Sequence, residues 1–390
     1  MKKAVENGIL TVFLSGRIDS SNAAAAAAEL EALRAAEPHQ KMVLDLEELE
    51  YLSSAGLRVV LKLRKAEPGL KLVNVSSEVY EILDMTGFTE MIPVEKAYRR
   101  LSVEGCEVIG QGANGIVYRL DPDTIIKVYF DKDSLPDIQR ERELARKAFV
   151  RGIPTAIPYD VVKVGDGYGS VFELLNAKSF AQLIAKEPEK LETYMELYVD
   201  LLKKIHSTEV QPGEMPDMKK TVLGWADFLQ EYLPEEQYRK LRALIEAVPD
   251  DHHMMHGDYH VKNVMMQGDE VLLIDMDTLC MGHPIFELAS VFLAYVGYTE
   301  NKHEETLEFY GFPHAIAEKI WDRVSRLYFG DEDEERLNAC IDKAKVIGYT
   351  RMMRRTIRRN GFETERGQAD IACCKRHLAE LLDRVTTLEF

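Results

Sequence analysis

The chain has 390 residues, 46% of them hydrophobic, and a formal net charge of -17. That length calls for two or three domains, and the acidic balance argues against nonspecific nucleic-acid binding, which needs a surplus of Lys and Arg to meet phosphates. Five scattered cysteines without CxxC spacing suit reduced thiols better than a disulfide framework. No leader is visible after Lys2-Lys3, and no apolar run approaches the ~18 residues of a membrane span. The expectation is a soluble, cytoplasmic protein.

The first hundred residues alternate short apolar runs with helical patterns. Residues 9–15 and 42–46 read as strands, 20–35 as a helix with Ser21 or Asn22 as its cap, and Ser53-Ser54-Ala55-Gly56 opens a helix to about residue 66. A turn at Pro68-Gly69, a strand over 71–75 and a helix over 77–85 closed by Gly87 follow. Strands alternating with helices predict an α/β layer with a mixed or mostly parallel sheet. A boundary is placed near residues 102–105, where a glycine-rich pattern begins.

Residues 107–130 predict a β-meander, and a helix follows over 136–151. Strands at 159–164 and 169–174 flank Gly165-Asp166-Gly167. Beyond Ser179 the chain reads as helical, interrupted by strands around 256–266 and 271–274. A small β-rich lobe, about 104–175, thus precedes a large helical lobe, about 176–390.

Phosphate-handling chemistry is concentrated in this second part. Gly110-Gln111-Gly112-Ala113-Asn114-Gly115-Ile116-Val117 fits GxGxxGxV. A dinucleotide fingerprint would need a helix after the glycines; a strand pattern follows instead, as in a flap whose Gly110, Gly112 and Gly115 let backbone N–H groups approach phosphates. Lys127 stands inside the apolar strand Ile125-Ile126-Lys127-Val128, where an unpaired ammonium is costly, so it should meet anions. Its helix partner is expected to be Glu141, which shares the face of Ile138, Ala145 and Ala148, in preference to Glu143.

His256-x-Asp258-x4-Asn263 carries the strongest pattern. Asp258 is positioned to orient and deprotonate an acceptor hydroxyl, Asn263 to offer an amide oxygen to Mg²⁺, and Asp275, ending the strand Val271-Leu272-Leu273-Ile274, to bridge that cation. Asp277 is an accessory ligand candidate. His252, His256 and His260 recur every four residues, but Gly257 and the strand-like Val264-Met265-Met266 oppose a continuous zinc-binding helix.

With Gly282-His283-Pro284 and Glu287-Leu288-Ala289, these motifs resemble the aminoglycoside phosphotransferase/choline kinase branch of the protein-kinase-like superfamily, from Gly105 onward. The resemblance implies an α+β bilobal kinase-like fold over 104–390, ATP or GTP with Mg²⁺, a hydroxyl-bearing small molecule as acceptor, and a nucleotide hinge at Glu173-Leu174-Leu175-Asn176, with Glu173 and Leu175 as contacts. Asp275-Met276-Asp277, where eukaryotic protein kinases have Asp-Phe-Gly, favours the small-molecule branch.

Leu44-Asp45-Leu46, Tyr51-Leu52-Ser53-Ser54-Ala55-Gly56-Leu57 and Gly16-Arg17-Ile18-Asp19 resemble the STAS domain of anti-sigma-factor antagonists, over 1–103. That resemblance implies a regulatory protein partner and a phosphoacceptor serine at the helix start. Alignment on Gly56 makes this Ser54, with Ser53 the competing choice, and both are equally read as plain helix caps. The kinase-like part acting on Ser54, or only binding nucleotide, is the alternative to a metabolite kinase. Arg351, Arg354, Arg355, Arg358 and Arg359 form a basic run, read as a solvated helix face; residues 331–335 form an acidic one. Tyr295 and Tyr298 are assigned to core packing.

Overall fold

The computed structural model describes residues 1–112, 114–330 and 333–390. Ala113 of the glycine motif, and Asp331 and Glu332 of the acidic run, lie outside the described residues. Two compact units emerge: Met1–Ser102 with Val161–Asp166, and Val103–Asp160 with Gly167–Phe390.

In the first unit a five-stranded mixed sheet has the order β1-β2-β3-β4-β5, with β1 (Lys2–Glu6), β2 (Ile9–Ile18), β3 (Lys41–Leu52), β4 (Lys71–Val75) and β5 (Val94–Lys96). Only β1 runs antiparallel to its neighbour. The helices are α1 (Ala23–Ala36), α2 (Ser54–Ala66), α3 (Ser77–Met85) and the single turn α4 (Phe88–Met91). Leu10, Val12, Leu44, Leu72, Val79 and Leu83 are among the residues sealed in the core.

β5 was not read from the sequence, and two further features of this sheet depart from that reading. β1 is an added edge strand, joined to β2 by Asn7-Gly8, both residues in the left-handed region (φ 50° and 78°). That pair is the preferred two-residue hairpin turn, and lysines suit an edge strand. β3 runs six residues beyond 42–46 because Glu48, Leu49, Tyr51 and Leu52 pair with the second half of β2 across two register shifts. Cross-strand pairing outweighs the weak strand propensity of Glu47, Glu48 and Glu50.

Ser53 and Ser54 take different positions. Ser53 is the cap of α2, its hydroxyl accepting from the N–H groups of Ala55 (3.2 Å) and Gly56 (3.3 Å), while Ser54 is the first helical residue and exposed. Asn22 occupies the cap position of α1 without capping it; its side chain instead bonds Asp19 and Arg17.

β6 (Arg100–Leu101) pairs in parallel with Lys163–Val164 of β10 (Asp160–Val164). The second unit opens with an antiparallel meander of β7 (Glu107–Gln111), β8 (Gly115–Arg119) and β9 (Thr124–Tyr129). α5 (Leu135–Val150) follows, and β11 (Gly167–Glu173) pairs with β9. The helical part contains β12 (Lys178–Ser179), α6 (Phe180–Lys186), α7 (Leu191–His206), α8 (Met218–Leu229) and α9 (Glu235–Ala247). Short strands β13 (Met254–Met255), β14 (Val264–Gln267), β15 (Glu270–Leu273) and β16 (Cys280–Met281) follow. The chain ends in α10 (Ile285–Tyr295), α11 (Glu304–Tyr310), α12 (His314–Phe329), α13 (Glu334–Arg358) and α14 (Glu365–Arg384). α10 is buried on nearly every side, as a helix apolar all round must be. No helix among the described residues is long and apolar enough to cross a membrane, and all five cysteines are free.

The serine assignment is testable by hydrogen exchange. Ser53→Ala should cost about 1 kcal/mol of local stability and speed amide exchange across α2, while Ser54→Ala leaves it unchanged. Equal effects of the two substitutions would contradict it.

Candidate active site

Lys127 on β9 reaches across to α5. Its Nζ lies 3.3 and 3.4 Å from the two carboxylate oxygens of Glu141 and 3.1 Å from Asp275 Oδ1. Glu141 is 6% exposed and also accepts from Tyr129 OH at 2.8 Å. Burial pulls the Lys127 ammonium down, but the charges of Asp275 and Glu141 outweigh it and hold the pKa above its ordinary value. Glu143 points elsewhere, pairing with Arg146 and Lys147 on the outer face of α5. The choice between these two glutamates follows the helix face that each occupies.

The three motif glycines have different surroundings. Gly110 lies within β7, opposite Val117. Gly112 donates its N–H to Gly115 O at 2.9 Å. Gly115 begins β8, where a Cβ would come 2.3 Å from Val128 O, so strand packing alone demands this glycine. Asn114 bonds Asp277 Oδ2 at 3.3 Å.

The His256–Asn263 segment is a loop after β13, held from below by one buried carboxylate. Glu287 on α10 is 1% exposed, and it accepts from the N–H groups of His256 (2.7 Å) and Gly257 (2.6 Å). His206 Nε2 lies 3.1 Å away on the same carboxylate. Burial raises the carboxyl, but His206, His256 and these N–H bonds bring it below its usual value. Gly257 has φ 84°, with Thr278 O 2.4 Å from where a Cβ would stand, so both dihedral and space require glycine. Tyr259 is riveted by reciprocal bonds, its OH donating to Tyr198 O (2.7 Å) and Tyr198 OH to Tyr259 O (3.1 Å). Tyr295 is core, its hydroxyl accepting from Val261 N at 2.9 Å.

Asp258 sits on this loop with its side chain 48% exposed. Burial works to raise its pKa, but His260, Arg351 and His256 outweigh it and bring the carboxyl to about 2. The Asn263 side-chain N–H₂ donates to Asp258 O at 3.0 Å, which turns its Oδ1 the other way. Ile274 N–H reaches Asn263 O (3.0 Å), and His256 Nε2 meets Ile274 O (3.1 Å), coupling the loop to the strand that carries Asp275. Asp275 is a non-glycine residue at φ 64°, ψ 66°, a strained conformation that the surrounding bonds enforce. Burial and the neighbouring charges of Asp275 and Glu141 push Asp277 up to about 7.

The histidine spacing does not make a metal face: β13 occupies 254–255, His256 is buried, and His252 is exposed. Glu173 ends β11 and is exposed, and Leu175 is half-buried in the 174–177 connection to β12. A cleft of about 360 Å³ is lined by Asn114, Tyr129, Ser134, Glu141 and Asp277. A larger one, about 430 Å³, lies among Lys219, Asp250, His252 and His283 and shares none of these residues. The part of Glu287 was not anticipated from the sequence. Its signal was the isolated acid in Pro284-Ile285-Phe286-Glu287-Leu288-Ala289, since a carboxylate inside an apolar helix must have partners.

A lysine braced by a helix glutamate, a loop carrying Asp258 and Asn263, and a strand-end aspartate, set in a meander joined to a helical lobe, define a protein-kinase-like fold. The chain belongs to the phosphotransferase enzyme family, whose model matches residues 105–324, and carries a STAS domain at residues 1–101. Crystal structures of aminoglycoside phosphotransferase APH(4)-Ia share this fold. A thermostable mutant in the apo form gives a TM-score of 0.50 at 13% identity over 72% of this chain and 97% of that one. Another structure gives 0.51 at 11% over 71% and 93%. A ternary complex of that mutant holds ADP and hygromycin B (TM-score 0.50, 12% identity, 71% of this chain and 93% of that one). The STAS domain is 39% identical over 92 residues to a putative anti-sigma factor antagonist, BtrV, of Bordetella bronchiseptica, covering 23% of this chain and 78% of that protein.

Glu287→Gln removes the charge that holds two loop N–H groups and His206, and should cost about 2–3 kcal/mol at neutral pH. The folded pKa of Glu287 is depressed, so its contribution is present above the unfolded value and is lost as pH falls through the folded one. Acid unfolding of the wild type below about pH 4 should therefore be steeper than that of Glu287→Gln. Parallel stability curves for the two proteins would contradict the latch.

Proposed function

We propose that the C-terminal domain transfers the γ-phosphate of Mg²⁺-bound ATP or GTP to a hydroxyl of a small molecule, and that the STAS domain regulates or partners it. The observation that carries this reading is the placement of Lys127 Nζ within 3.1–3.4 Å of both Glu141 and Asp275. A lysine so braced presents one fixed positive charge to polyphosphate, and the nucleotide held by a structural neighbour supports the same use.

The residues fit a hard divalent cation. Asp275, Glu141 and Asp258 bring more carboxylates here than Lys127 alone pairs with, and burial together with these neighbours pushes Asp277 up to about 7. Asn263 Oδ1 and Asp275 would hold Mg²⁺, with Asp277 accessory, and the bound ion would supply charge neutralisation between the β- and γ-phosphates. Glu173 and Leu175 are assigned to the nucleotide base and Gly110 and Gly112 to the phosphates, while Gly115 closes the hairpin beneath them.

Asp258 orients the acceptor hydroxyl. Held near 2, it is ionised at neutral pH but too weak a base to remove an alcohol proton early. It takes the proton late, as a loose phosphoryl-transfer transition state requires. The new O–P bond forms as the bond between the bridging oxygen and the γ-phosphorus breaks, and the nucleoside diphosphate leaves with that electron pair.

In the STAS domain, Ser54 is assigned as the phosphoacceptor. The Ser53 hydroxyl is occupied in capping, whereas Ser54 is exposed at the helix N-terminus, where free N–H groups and the helix dipole favour a phosphate. The exposure of Ser54 equally suits the reading in which the kinase-like domain acts on it. Mass spectrometry after incubation with Mg²⁺ and ATP or GTP separates the two, because phosphate on Ser54 that is absent from Asp258→Ala identifies self-modification.

Nucleoside diphosphate release in a panel of hydroxyl compounds should fall about 10²–10⁴-fold in Asp258→Ala, with nucleotide affinity nearly unchanged. Turnover equal to wild type would remove Asp258 from the reaction.

A further inference from the structure

The arginine run lies on one stripe of α13. Arg351, Arg354, Arg355 and Arg358 stand at i, i+3, i+4 and i+7 of α13, and Arg359 is its C-cap residue; like charges at those spacings repel. Carboxylates to neutralise them are plentiful, with 66 acidic residues against 49 basic ones. Elsewhere in this domain Arg151, Arg242, Arg326 and Arg384 have taken such partners. Among the described residues, no carboxylate lies within ion-pair distance of any of the five on the stripe.

Aromatic rings take that place. Arg351 lies 5.6 Å from the Trp225 ring centre, Arg354 5.9 Å from Phe228 and Arg355 4.9 Å from Tyr298. A guanidinium resting on a ring is oriented by it, yet its in-plane N–H donors remain at the edge, in the fork that matches an oxyanion. Arg355, Arg358 and Arg359 are exposed and Arg351 and Arg354 half-buried, so the stripe is open to solvent, as the sequence reading had it and as a binding face must be. Burial and the charge of Arg358 lower the Arg354 pKa, the direction that an adjacent anion would oppose.

The stripe begins at the catalytic loop. Arg351 donates to Gly257 O at 3.2 Å and to Ser290 Oγ, and its charge acts on Asp258. At ~1.5 Å rise per residue, Arg354 and Arg355 follow ~4.5–6 Å further along the axis. Arg351 thus positions the loop, and the next two arginines follow it along α13.

We propose that this arginine–aromatic face is the acceptor subsite, and that the hydroxyl compound it takes is anionic, bearing a phosphate or comparable oxyanion clamped by Arg354 and Arg355. This rests on the phosphotransferase reading above and opposes a polycationic acceptor, which Arg354 and Arg355, without carboxylate partners among the described residues, would repel.

Calorimetry on the full chain tests it, with Mg²⁺ and saturating AMP-PNP or GMP-PNP filling the nucleotide site. Ribose 5-phosphate and glycerol 3-phosphate are compared with ribose, glycerol and kanamycin. At least one phosphorylated probe should bind about tenfold or more tighter than its neutral parent, more weakly as salt rises. The double variant Arg354→Ala/Arg355→Ala, checked for wild-type unfolding, should erase the difference. Asp258→Ala should keep it, so that loss of turnover and loss of anion selectivity are read separately. No preference for either phosphorylated probe, tighter binding of kanamycin, or selectivity unchanged in the double variant would each overturn the proposal.

Discussion

One buried carboxylate organises the reacting end of this protein. Glu287 is enclosed in α10, and its two oxygens accept from the N–H groups of His256 and Gly257 while His206 closes the network. A charge so buried is tolerated only when paired and hydrogen-bonded. Its demand for partners fixes the backbone from which Asp258 projects. Gly257 is the residue that can follow that path, with φ 84° and no room for a Cβ. The bonds from His256 to Ile274 O and from Ile274 N–H to Asn263 O then carry the constraint on to Asp275, and from there to Lys127 and Glu141.

The electrostatics follow from that chain of contacts. Lys127 is shared by two carboxylates and held firmly protonated, whereas Asp277 is pushed up to about 7 by the negative charge around it. A surplus of negative charge around one lysine is what the proposed binding of a divalent cation together with polyphosphate would draw on. Beyond Asp258 the sign reverses. Arg351, Arg354 and Arg355 lie against aromatic rings, with no carboxylate partner among the described residues.

Much of this was legible in the sequence, and for identifiable reasons. Lys127, Asp258, Asn263 and Asp275 are short-range signals, each a polar group at a fixed offset in an apolar segment, and the structure brings them together. Glu141 over Glu143 was legible from helix periodicity alone. Glu287 escaped because its partners, His206 and His256, are 81 and 31 residues away in the chain, and no local pattern announces them. β1 escaped although Asn7-Gly8 was in plain view, because two lysines obscured a five-residue strand. The far half of β3 was hidden by its glutamates and is fixed by pairing with β2. Alignment on Gly56 favoured Ser54 as the acceptor, but only the cap geometry shows which of the two serines caps α2. The arginine run was visible, but its want of carboxylate partners among the described residues and its aromatic platform exist only in three dimensions.

The central claim is that Lys127, Asn263 and Asp275 make a nucleotide site that requires a divalent cation. Titration calorimetry of AMP-PNP and GMP-PNP into the full chain, with Mg²⁺ and with EDTA, tests it most directly when repeated on Asp275→Asn. The account predicts binding of at least one nucleotide that weakens about tenfold or more without Mg²⁺, and that Asp275→Asn removes most of this dependence. Binding indifferent to Mg²⁺ in the wild type, a dependence unaltered in Asp275→Asn, or no nucleotide binding at all would contradict it.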